Sequence, residues 1–404
     1  MTQAAKPVGP TATRLLSDRG AYIILAVPVL VLAVIAGGIA TKQIHQGVFA
    51  FDFRGTVWNP SFNIRHGLSP IAAPTTGAME AGNPAVYPPL AAAAVLPLTF
   101  LPWPVASVVW AVLLALAVVG SLLLVGVRDW RVLTVVLVSV PTVSGLVFGN
   151  VVLLVVAGIA VAWRYRGNPI VCGVALGLTA ALKIFTWPLF VWLIVSKRWR
   201  ASGWAVVSAV LGVLLPWAVV GFRGLTTYTR VLHAANRVFA THSYSLAAGA
   251  SALGLGDLAT PLCLGAGICV LLLALRLRSY EFGLFSLCVL ACVVATPIAW
   301  PYTFSLVLVP LAIALPRFGV SWIVAAGLLL AASMIPGHAV AETVCCRPPS
   351  TPSAVWDFNH LPPSFWPPLA FALAATFVTW LSVRGARTQL NVGTRVSSTD
   401  LARQ

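Results

Sequence analysis

Residues 149–200 read GNVVLLVVAGIAVAWRYRGNPIVCGVALGLTAALKIFTWPLFVWLIVSKRWR, and they set the pattern for the rest of the chain. Three apolar runs, 150–163, 170–182 and 184–195, are separated by short polar turns. Arginines and lysines follow the first and third runs, and a single lysine, Lys183, stands between the second and third. Continuous apolar runs predict buried or membrane helices, because transmembrane β-strands would alternate polar and apolar residues.

The composition of the whole chain extends this interpretation. Of 404 residues, 59% are hydrophobic and only 8% are charged, which excludes an ordinary soluble globule. The net charge of +16 would suit nucleic acid in a soluble protein. Here the basic residues lie between apolar runs, so we interpret the excess as membrane topology and attraction to lipid headgroups, with no nucleic-acid partner.

We predict an all-α polytopic membrane protein with about twelve transmembrane helices. The first apolar run is too long and too poorly flanked for a cleaved signal peptide, so it is counted as a retained span. The expected spans are 21–40, 104–126, 132–147, 150–163, 170–182, 184–195, 203–222, 258–275, 282–299, 301–315, 322–337 and 365–383.

The basic clusters decide the threading. If 88–101 is a juxtamembrane or re-entrant helix in the first outer loop, every basic cluster between spans falls on the cytoplasmic side. Both termini are then cytoplasmic, residues 1–387 form one transmembrane domain, and 388–404 is a disordered cytoplasmic tail. The clusters are Lys6/Arg14/Arg19, Arg128/Arg131, Arg164/Arg166, Lys197/Arg198/Arg200, Arg276/Arg278, Arg317 and Arg384/Arg387.

This threading puts the unusual polar residues on the outer face. Asp52, in Phe51-Asp-Phe-Arg54, is one of only nine acidic residues in the chain. It is a candidate general base, or else an acid that pairs with Arg54 or caps a helix. Asp357 is the other outer carboxylate to consider.

Lys183 interrupts an apolar run and is the second candidate. An ammonium at membrane depth faces a cavity or a partner, and a lipid phosphate would be a natural one; snorkelling at a helical hairpin is the alternative.

The segment 223–257 offers Arg230, His242 and Ser245 for phosphate or sugar hydroxyls, although a solvated loop explains each of them equally well. No spacing of His, Cys or Asp supports a metal site, and the seven cysteines include no Cys-x-x-Cys pair. The state of the vicinal pair Cys345-Cys346 is left open.

Several segments, in their order along the chain, resemble glycosyltransferase family 87, membrane enzymes of the GT-C class that include actinobacterial mannosyltransferases. Each motif is weak and the ordered set is specific. The matching elements are Asp52-Phe53, Gly67-Leu-Ser-Pro70, Tyr87-Pro-Pro89, Gly149-Asn150, Gly177-Leu178 with Lys183 and Pro188, Lys197-Arg-Trp-Arg200 and Thr296-Pro-Ile-Ala-Trp300.

Three positions depart from the family pattern. Asn150 stands where glutamine is commoner, and Ser245 keeps only the last residue of an Asn-Gln-Ser element. Tyr302 follows the late tryptophan, where histidine is frequent.

The resemblance implies a GT-C-type fold and an inverting transfer, without a cofactor or metal, at an active site on the outer face of the plasma membrane. The donor would be a polyprenyl-phosphate sugar such as polyprenyl-phosphate mannose, and the acceptor a hydroxyl of a glycolipid or glycan. Asp52 would be the base, while Lys183, Arg54 and Arg230 would bind the donor phosphate. The remaining expected substrate-binding residues are Tyr87, Asn150, His242, Ser245, Trp300 and Tyr302.

Three rival interpretations stay open on the sequence. The first is an arabinofuranosyltransferase that uses decaprenyl-phosphate arabinose. The second is a lipid or small-molecule transporter, although the chain has no clear repeat and its polar residues gather on one face. The third is a non-catalytic scaffold, for which replacement of Asp52 would be harmless. Acceptor, linkage and oligomeric state are not given by the sequence.

Overall fold

The computed structural model describes residues 38, 41, 49–71, 85–240, 243–252 and 254–314. These residues form helices and no strands, in agreement with the predicted all-α class. The expected spans 322–337 and 365–383 and nearly all of 21–40 lie outside the described residues. So do the tail 388–404, His242, Asp357 and Cys345-Cys346.

The described chain begins with a π-helix, Phe53–Trp58, and then contains fourteen α-helices. In order these are α1 (Asn59–Arg65), α2 (Leu90–Val95), α3 (Trp103–Leu124), α4 (Trp130–Val138), α5 (Val140–Phe148), α6 (Val152–Arg164), α7 (Pro169–Leu182), α8 (Pro188–Val195), α9 (Trp199–Val219), α10 (Leu225–Phe239), α11 (Leu246–Ala252), α12 (Ala259–Arg276), α13 (Glu281–Val294) and α14 (Ser305–Ala314). Short 3₁₀ segments lie at Leu96–Phe100, Ile184–Thr186, Gly256–Leu258 and Pro301–Phe304.

Three of the described helices are long and apolar enough to cross a membrane: Trp103–Leu124, Trp199–Val219 and Gly256–Arg276. Each turns large apolar side chains outward; Leu116, Val210 and Leu272 are 62%, 48% and 57% exposed. In water such surfaces would be unfavourable, whereas lipid tails cover them without penalty. The chain is therefore a membrane protein.

The centre of the helix assembly is formed by α13 and α14. Every residue from Phe282 to Val293 is buried, and so is every residue of α14. A helix that is apolar and buried on all sides lies in the middle of its fold. These two short apolar helices are thus enclosed, whereas the three long ones expose large apolar side chains on the outside.

Helices α7 and α9 make the most extensive contact between elements. Gly173 and Gly177, one turn apart on α7, allow this approach: a Cβ at Gly173 would lie about 2.5 Å from Trp204 Cβ, and one at Gly177 would collide with the Ser208 hydroxyl. Small residues spaced by four are the common means of bringing membrane helices together.

The connections between α6, α7, α8 and α13 meet at two opposite ends. At one end, which we call the Glu281 end, Glu281 forms ion pairs with Arg198 (2.5 Å) and Arg166 (3.5 Å). At the other, the Asp52 end, Asp52, Tyr87, Asn150, Lys183 and Tyr302 converge. Helix α6 alone, with 13 residues, separates the two ends by about 20 Å.

The turns after Arg164, Lys197 and Arg278 share one end, whereas Asn150 and Lys183 share the other. Which side of the membrane each end faces stays a prediction. The number of spans and the re-entrant character of 88–101 stay predictions. That segment is helical, beginning at Leu90 directly after Pro88-Pro89 and continuing as 3₁₀ helix to Phe100.

Two segments differ from expectation. The span expected at 132–147 is two helices, because Ser139 is extended (ψ 143°) and Pro141 starts the next helix. The segment 223–257, for which a solvated loop was the alternative, holds α10 and α11. Helix α10 buries Val231 and Ala235 and exposes Thr226, Arg230 and His233, so it is amphipathic.

Candidate active site

Asp52 lies directly before the π-helix, in a segment fixed by aromatic stacking. The ring of Phe53 lies between Trp103 and Trp110, with centroid distances of 5.7 and 4.8 Å. The Thr56 hydroxyl donates to the Asp52 carbonyl oxygen at 2.6 Å. π-Helical turns are rare and are frequently found at functional sites. The stacking of Phe53 and the hydrogen bond of Thr56 hold the backbone at Asp52 in place.

The turn between α5 and α6 brings Asn150 to this carboxylate. Gly149 is left-handed (φ 67°), and a Cβ there would lie 2.8 Å from the Cβ of Phe53. The Trp110 indole donates to the Gly149 carbonyl oxygen at 2.7 Å, and the Ala50 amide donates to the carbonyl of Val147 at 2.9 Å. Only glycine permits both the conformation and this close approach.

The Asn150 side chain joins three groups. Its amide nitrogen donates to Asp52 Oδ2 at 2.7 Å and to the Tyr87 hydroxyl at 3.0 Å. Its Oδ1 accepts from the Val152 backbone amide at 3.0 Å and so satisfies the first N–H of α6. The residue is 1% exposed. Two loops far apart in sequence are therefore tied together by one amide.

Lys183 approaches the same place from the end of α7. The helix stops because Lys183 is extended (φ −146°, ψ 105°). Its ammonium nitrogen lies 4.8 Å from the ring centroid of Tyr87, 5.4 Å from that of Tyr302 and 5.7 Å from that of Phe185. Aromatic faces stabilise a desolvated cation. Among the described residues no carboxylate lies within ion-pair distance of this ammonium.

Burial dominates the protonation of the two charged groups. Desolvation raises the pKa of Asp52, and hydrogen bonds from Asn150 and Tyr302 and the charge of Lys183 oppose this rise only in part. Desolvation lowers the pKa of Lys183 to about 8, partly opposed by Asp52. Burial and the Asp52 charge raise the pKa of Tyr87, so its hydroxyl stays protonated. The site thus holds a carboxylate of raised pKa beside a partly buried ammonium.

Five of the ten residues expected from sequence meet here: Asp52, Tyr87, Asn150, Lys183 and Tyr302. Two expected phosphate-binding residues do not join them. Arg54 is exposed, with its guanidinium 5.2 Å from the Trp103 ring centroid, and forms no ion pair with Asp52. Arg230 is exposed on α10 and donates at 3.5 Å to the Thr227 hydroxyl.

The last three expected residues divide as follows. The buried Ser245 hydroxyl donates to the Pro297 carbonyl oxygen at 2.6 Å, so it holds the turn before Tyr302. The Trp300 amide donates to the Thr303 hydroxyl at 3.1 Å, and its ring meets Phe239 edge-on. Both residues hold the backbone near Tyr302 and are not among the five residues that meet at Asp52. His242 lies outside the described residues.

Two contributors were missed by the sequence interpretation. Thr56 holds the Asp52 carbonyl and also interacts with the Tyr87 hydroxyl. Phe185 completes the aromatic surroundings of Lys183. Thr56 lies one helical turn after Asp52, and Phe185 two residues after Lys183, which were the available signals. Among the described residues, no three His, Cys, Asp or Glu side chains are grouped as a metal site would require.

A partly buried carboxylate beside a partly buried cation is the kind of cluster that functional sites of membrane proteins contain. The comparison with known families identifies the class of protein. Residues 85–297, slightly more than half of the chain, match the model of glycosyltransferase family 87, and the chain belongs to that family. It is therefore a membrane glycosyltransferase.

The match includes Tyr87, Asn150 and Lys183 but stops short of Asp52 and Tyr302. The tertiary structure joins these outer two to the matched three. No curated protein and no solved structure matches the chain significantly.

Proposed function

We propose that this enzyme transfers a mannosyl residue from polyprenyl-phosphate mannose to a hydroxyl of a glycolipid or lipoglycan on the outer face of the plasma membrane, with Asp52 as general base. The observation that carries the proposal is the partly buried Asp52 carboxylate, held by the neutral donors Asn150 and Tyr302 beside the ammonium of Lys183.

The chemistry explains why one carboxylate suffices. As the acceptor oxygen attacks the anomeric carbon, Asp52 takes its proton, and the bond from that carbon to the phosphate oxygen breaks. The phosphate leaves with the bonding electron pair, so no general acid is required, in contrast to the two-carboxylate glycosidases. Attack opposite the leaving group inverts the anomeric centre, and a β-linked donor gives an α-linked product.

Lys183 is the proposed partner of the leaving phosphate. A cation in a desolvated position stabilises negative charge more strongly than one in water. Of the three cations expected to bind phosphate, Lys183 alone contacts the Asp52 cluster within the described structure, while Arg54 and Arg230 are exposed. We assign to Lys183 the stabilisation of the negative charge that develops on the phosphate in the transition state. The two arginines are assigned the capture of the donor headgroup.

The orientation follows from charge. Arg166 and Arg198 belong to the Glu281 end, and basic residues between spans favour the cytoplasm. The Asp52 end then faces outward, where lipid-linked rather than nucleotide-linked sugars serve as donors. Membrane lipids surround the site, and we propose no resident metal or cofactor in the reaction.

Membranes that contain the wild-type protein or Asp52→Ala at equal abundance provide the test. Each is supplied separately with radiolabelled polyprenyl-phosphate mannose and decaprenyl-phosphate arabinose, and label in extracted glycolipid is measured. Transfer from the mannose donor by the wild type alone supports the proposal. Transfer from arabinose only replaces mannose with the pentose. Transfer that survives Asp52→Ala overturns the base assignment, and Asp357 is then exchanged.

A further inference from the structure

Both N–H donors of the Asn150 amide, and one lone pair of its oxygen, are already used within the protein. A carboxamide carries two N–H donors and one oxygen acceptor. The two donors point to Asp52 Oδ2 at 2.7 Å and to the Tyr87 hydroxyl at 3.0 Å, and the oxygen accepts from the Val152 amide at 3.0 Å. With 1% of its surface exposed, Asn150 has no N–H left for a sugar hydroxyl.

We propose that Asn150 is a positioning residue for the general base, fixing the rotamer and basicity of Asp52, and is not a substrate ligand. This inference rests on the proposed function, because it assumes that Asp52 takes the acceptor proton. It assigns a different role from the substrate binding that the sequence suggested for Asn150.

The geometry explains how one amide fixes a carboxylate. The hydrogen bond from the Val152 amide to Oδ1 and the left-handed conformation of Gly149 hold the Asn150 side chain in place. Its N–H is therefore a fixed donor. That donor occupies one side of Oδ2 and leaves other lone pairs of the carboxylate for the acceptor hydroxyl. Preorganisation of this kind avoids reorganisation during the reaction.

A second connection closes the arrangement through the backbone. Asn150 donates to Tyr87, the Tyr87 hydroxyl interacts with Thr56, and the Thr56 hydroxyl donates to the Asp52 carbonyl oxygen. The Asn150 amide thus fixes the side chain of Asp52 directly and its main chain through Tyr87 and Thr56. Partners that orient the ligands of metal sites commonly matter about 10- to 100-fold. We expect an effect of the same order from a residue that orients a general base.

A neutral donor also suits a base. A cation in place of Asn150 would stabilise the carboxylate and weaken its affinity for a proton. Within the described part of the chain, the other groups that interact with Asp52 are Lys183 and the hydroxyls of Tyr87 and Tyr302. Asn150 can therefore orient Asp52 without adding a second positive charge.

Two variants and a matched control test the role in transfer. Asn150→Ala removes the whole amide, whereas Asn150→Asp keeps the acceptor for the Val152 amide and removes both N–H donors. Asn168→Ala is the control, since Asn168 caps α7 through Ile170 and Val171 but lies near the Glu281 end. We expect both Asn150 variants to lose kcat on the order of 100-fold with KM nearly unchanged, and Asn168→Ala to lose neither.

Labelling of Asp52 by dicyclohexylcarbodiimide provides a readout independent of transfer. The reagent attacks protonated carboxyl groups in apolar surroundings, so peptide mass spectrometry across pH gives the midpoint of Asp52 protonation. Loss of the Asn150 donor removes stabilisation of the ionised form, and Asp at 150 adds a like charge, so both variants should shift the midpoint upward. Asn168→Ala should keep the wild-type midpoint.

The possible outcomes separate the two proposals. A raised KM at wild-type kcat and a wild-type labelling midpoint would make Asn150 a substrate ligand and overturn the inference. If the wild type transfers no sugar from either donor, the proposed function fails, and the labelling midpoints alone decide whether Asn150 sets the state of Asp52.

Discussion

Each end of the helix assembly holds a carboxylate that neighbouring helices contact, Glu281 at one end and Asp52 at the other, and their surroundings are opposite in kind. Glu281 is 37% exposed and pairs with two guanidinium groups, those of Arg166 and Arg198. Asp52 is desolvated and is held by the amide of Asn150 and the hydroxyl of Tyr302, with the ammonium of Lys183 nearby. The first arrangement pairs a carboxylate with two cations. The second surrounds a carboxylate mainly with neutral donors and raises its pKa.

The difference supports the proposal that Asp52, and not Glu281, is the general base. Two arginines satisfy the charge of Glu281 and join three connections of the membrane helices, which is a structural task. Neutral donors around Asp52 fix its geometry while burial raises its pKa, which is the environment of a general base. Four predictions test the contrast, in decreasing order of the change they should produce.

The greatest change in sugar transfer should come from removing the charge of Asp52, and removal of the Glu281 charge is the comparison. Asp52→Asn keeps the shape of the side chain but has no basic oxygen, so sugar transfer should fall by about 10²- to 10⁴-fold. Glu281→Gln should retain transfer within a few-fold. The measurement is label incorporation per amount of folded protein in the same membranes. Equal losses in the two variants would erase the proposed distinction between the ends.

The second prediction concerns the alkaline side of the pH profile. Because the pKa of Lys183 is lowered to about 8, its ammonium loses a proton above that pH, and kcat/KM for the donor should decline there. Lys183→Met should reduce kcat on the order of 100-fold at neutral pH, through loss of the phosphate partner. Lys183→Arg stays protonated, so its weaker activity should show no decline near pH 8.

Lys197→Arg, at an exposed position near the Glu281 end, is the control for that profile and should keep the wild-type decline. A decline that persists in Lys183→Arg would assign the alkaline limb to another group.

The third prediction separates crowding from backbone strain. Gly149→Ala would force a left-handed alanine and bring its Cβ to 2.8 Å from Phe53, so we expect about 3 kcal/mol of destabilisation together with loss of transfer. Gly126 is also left-handed (φ 88°), but the position that a Cβ would take there is open space. Gly126→Ala should therefore cost about 1 kcal/mol and keep activity.

Thermal unfolding in detergent and transfer assays on the same samples measure both effects. Equal destabilisation by the two alanines would mean that strain alone, and not contact with Phe53, makes Gly149 necessary.

The smallest expected change is the loss of folding stability in Glu281→Gln. Its partners Arg166 and Arg198 are 38% and 25% exposed, so solvent screens the pairs and the loss should be at most about 1 kcal/mol. The difference in melting temperature between wild type and variant should shrink as salt is raised. A large, salt-independent loss would show that the Glu281 end behaves as a buried ion pair.

Much of the fold was predictable because hydropathy is local. The apolar runs at 150–163, 170–182 and 184–195 became helices within a few residues of their expected bounds. The break at Ser139 and the helices α10 and α11 were not predicted. Proline at 141 carried a signal for the first, whereas the mixed polarity of 225–239 hides an amphipathic helix from a search for continuous apolar runs.

The site was predictable as a set of candidates and not as an arrangement. An acid or a lysine in an apolar chain stands out because its desolvation is costly, so Asp52 and Lys183 were found from sequence alone. Arg54 stood out in the same way, two residues from Asp52, yet its side chain points to Trp103. Sequence proximity does not tell on which side of a helix a cation lies.

Composition and basic turns are enough to establish a helical membrane chain, and an ordered set of weak motifs is enough to indicate glycosyltransferase family 87. Which polar residues meet became known only from the packed helices. Asp52, Tyr87, Asn150, Lys183 and Tyr302 are separated by up to 250 residues, and their contacts depend on Gly149 fitting against Phe53 and on helices returning to one end. Local patterns carry hydropathy, whereas convergence depends on packing between distant segments.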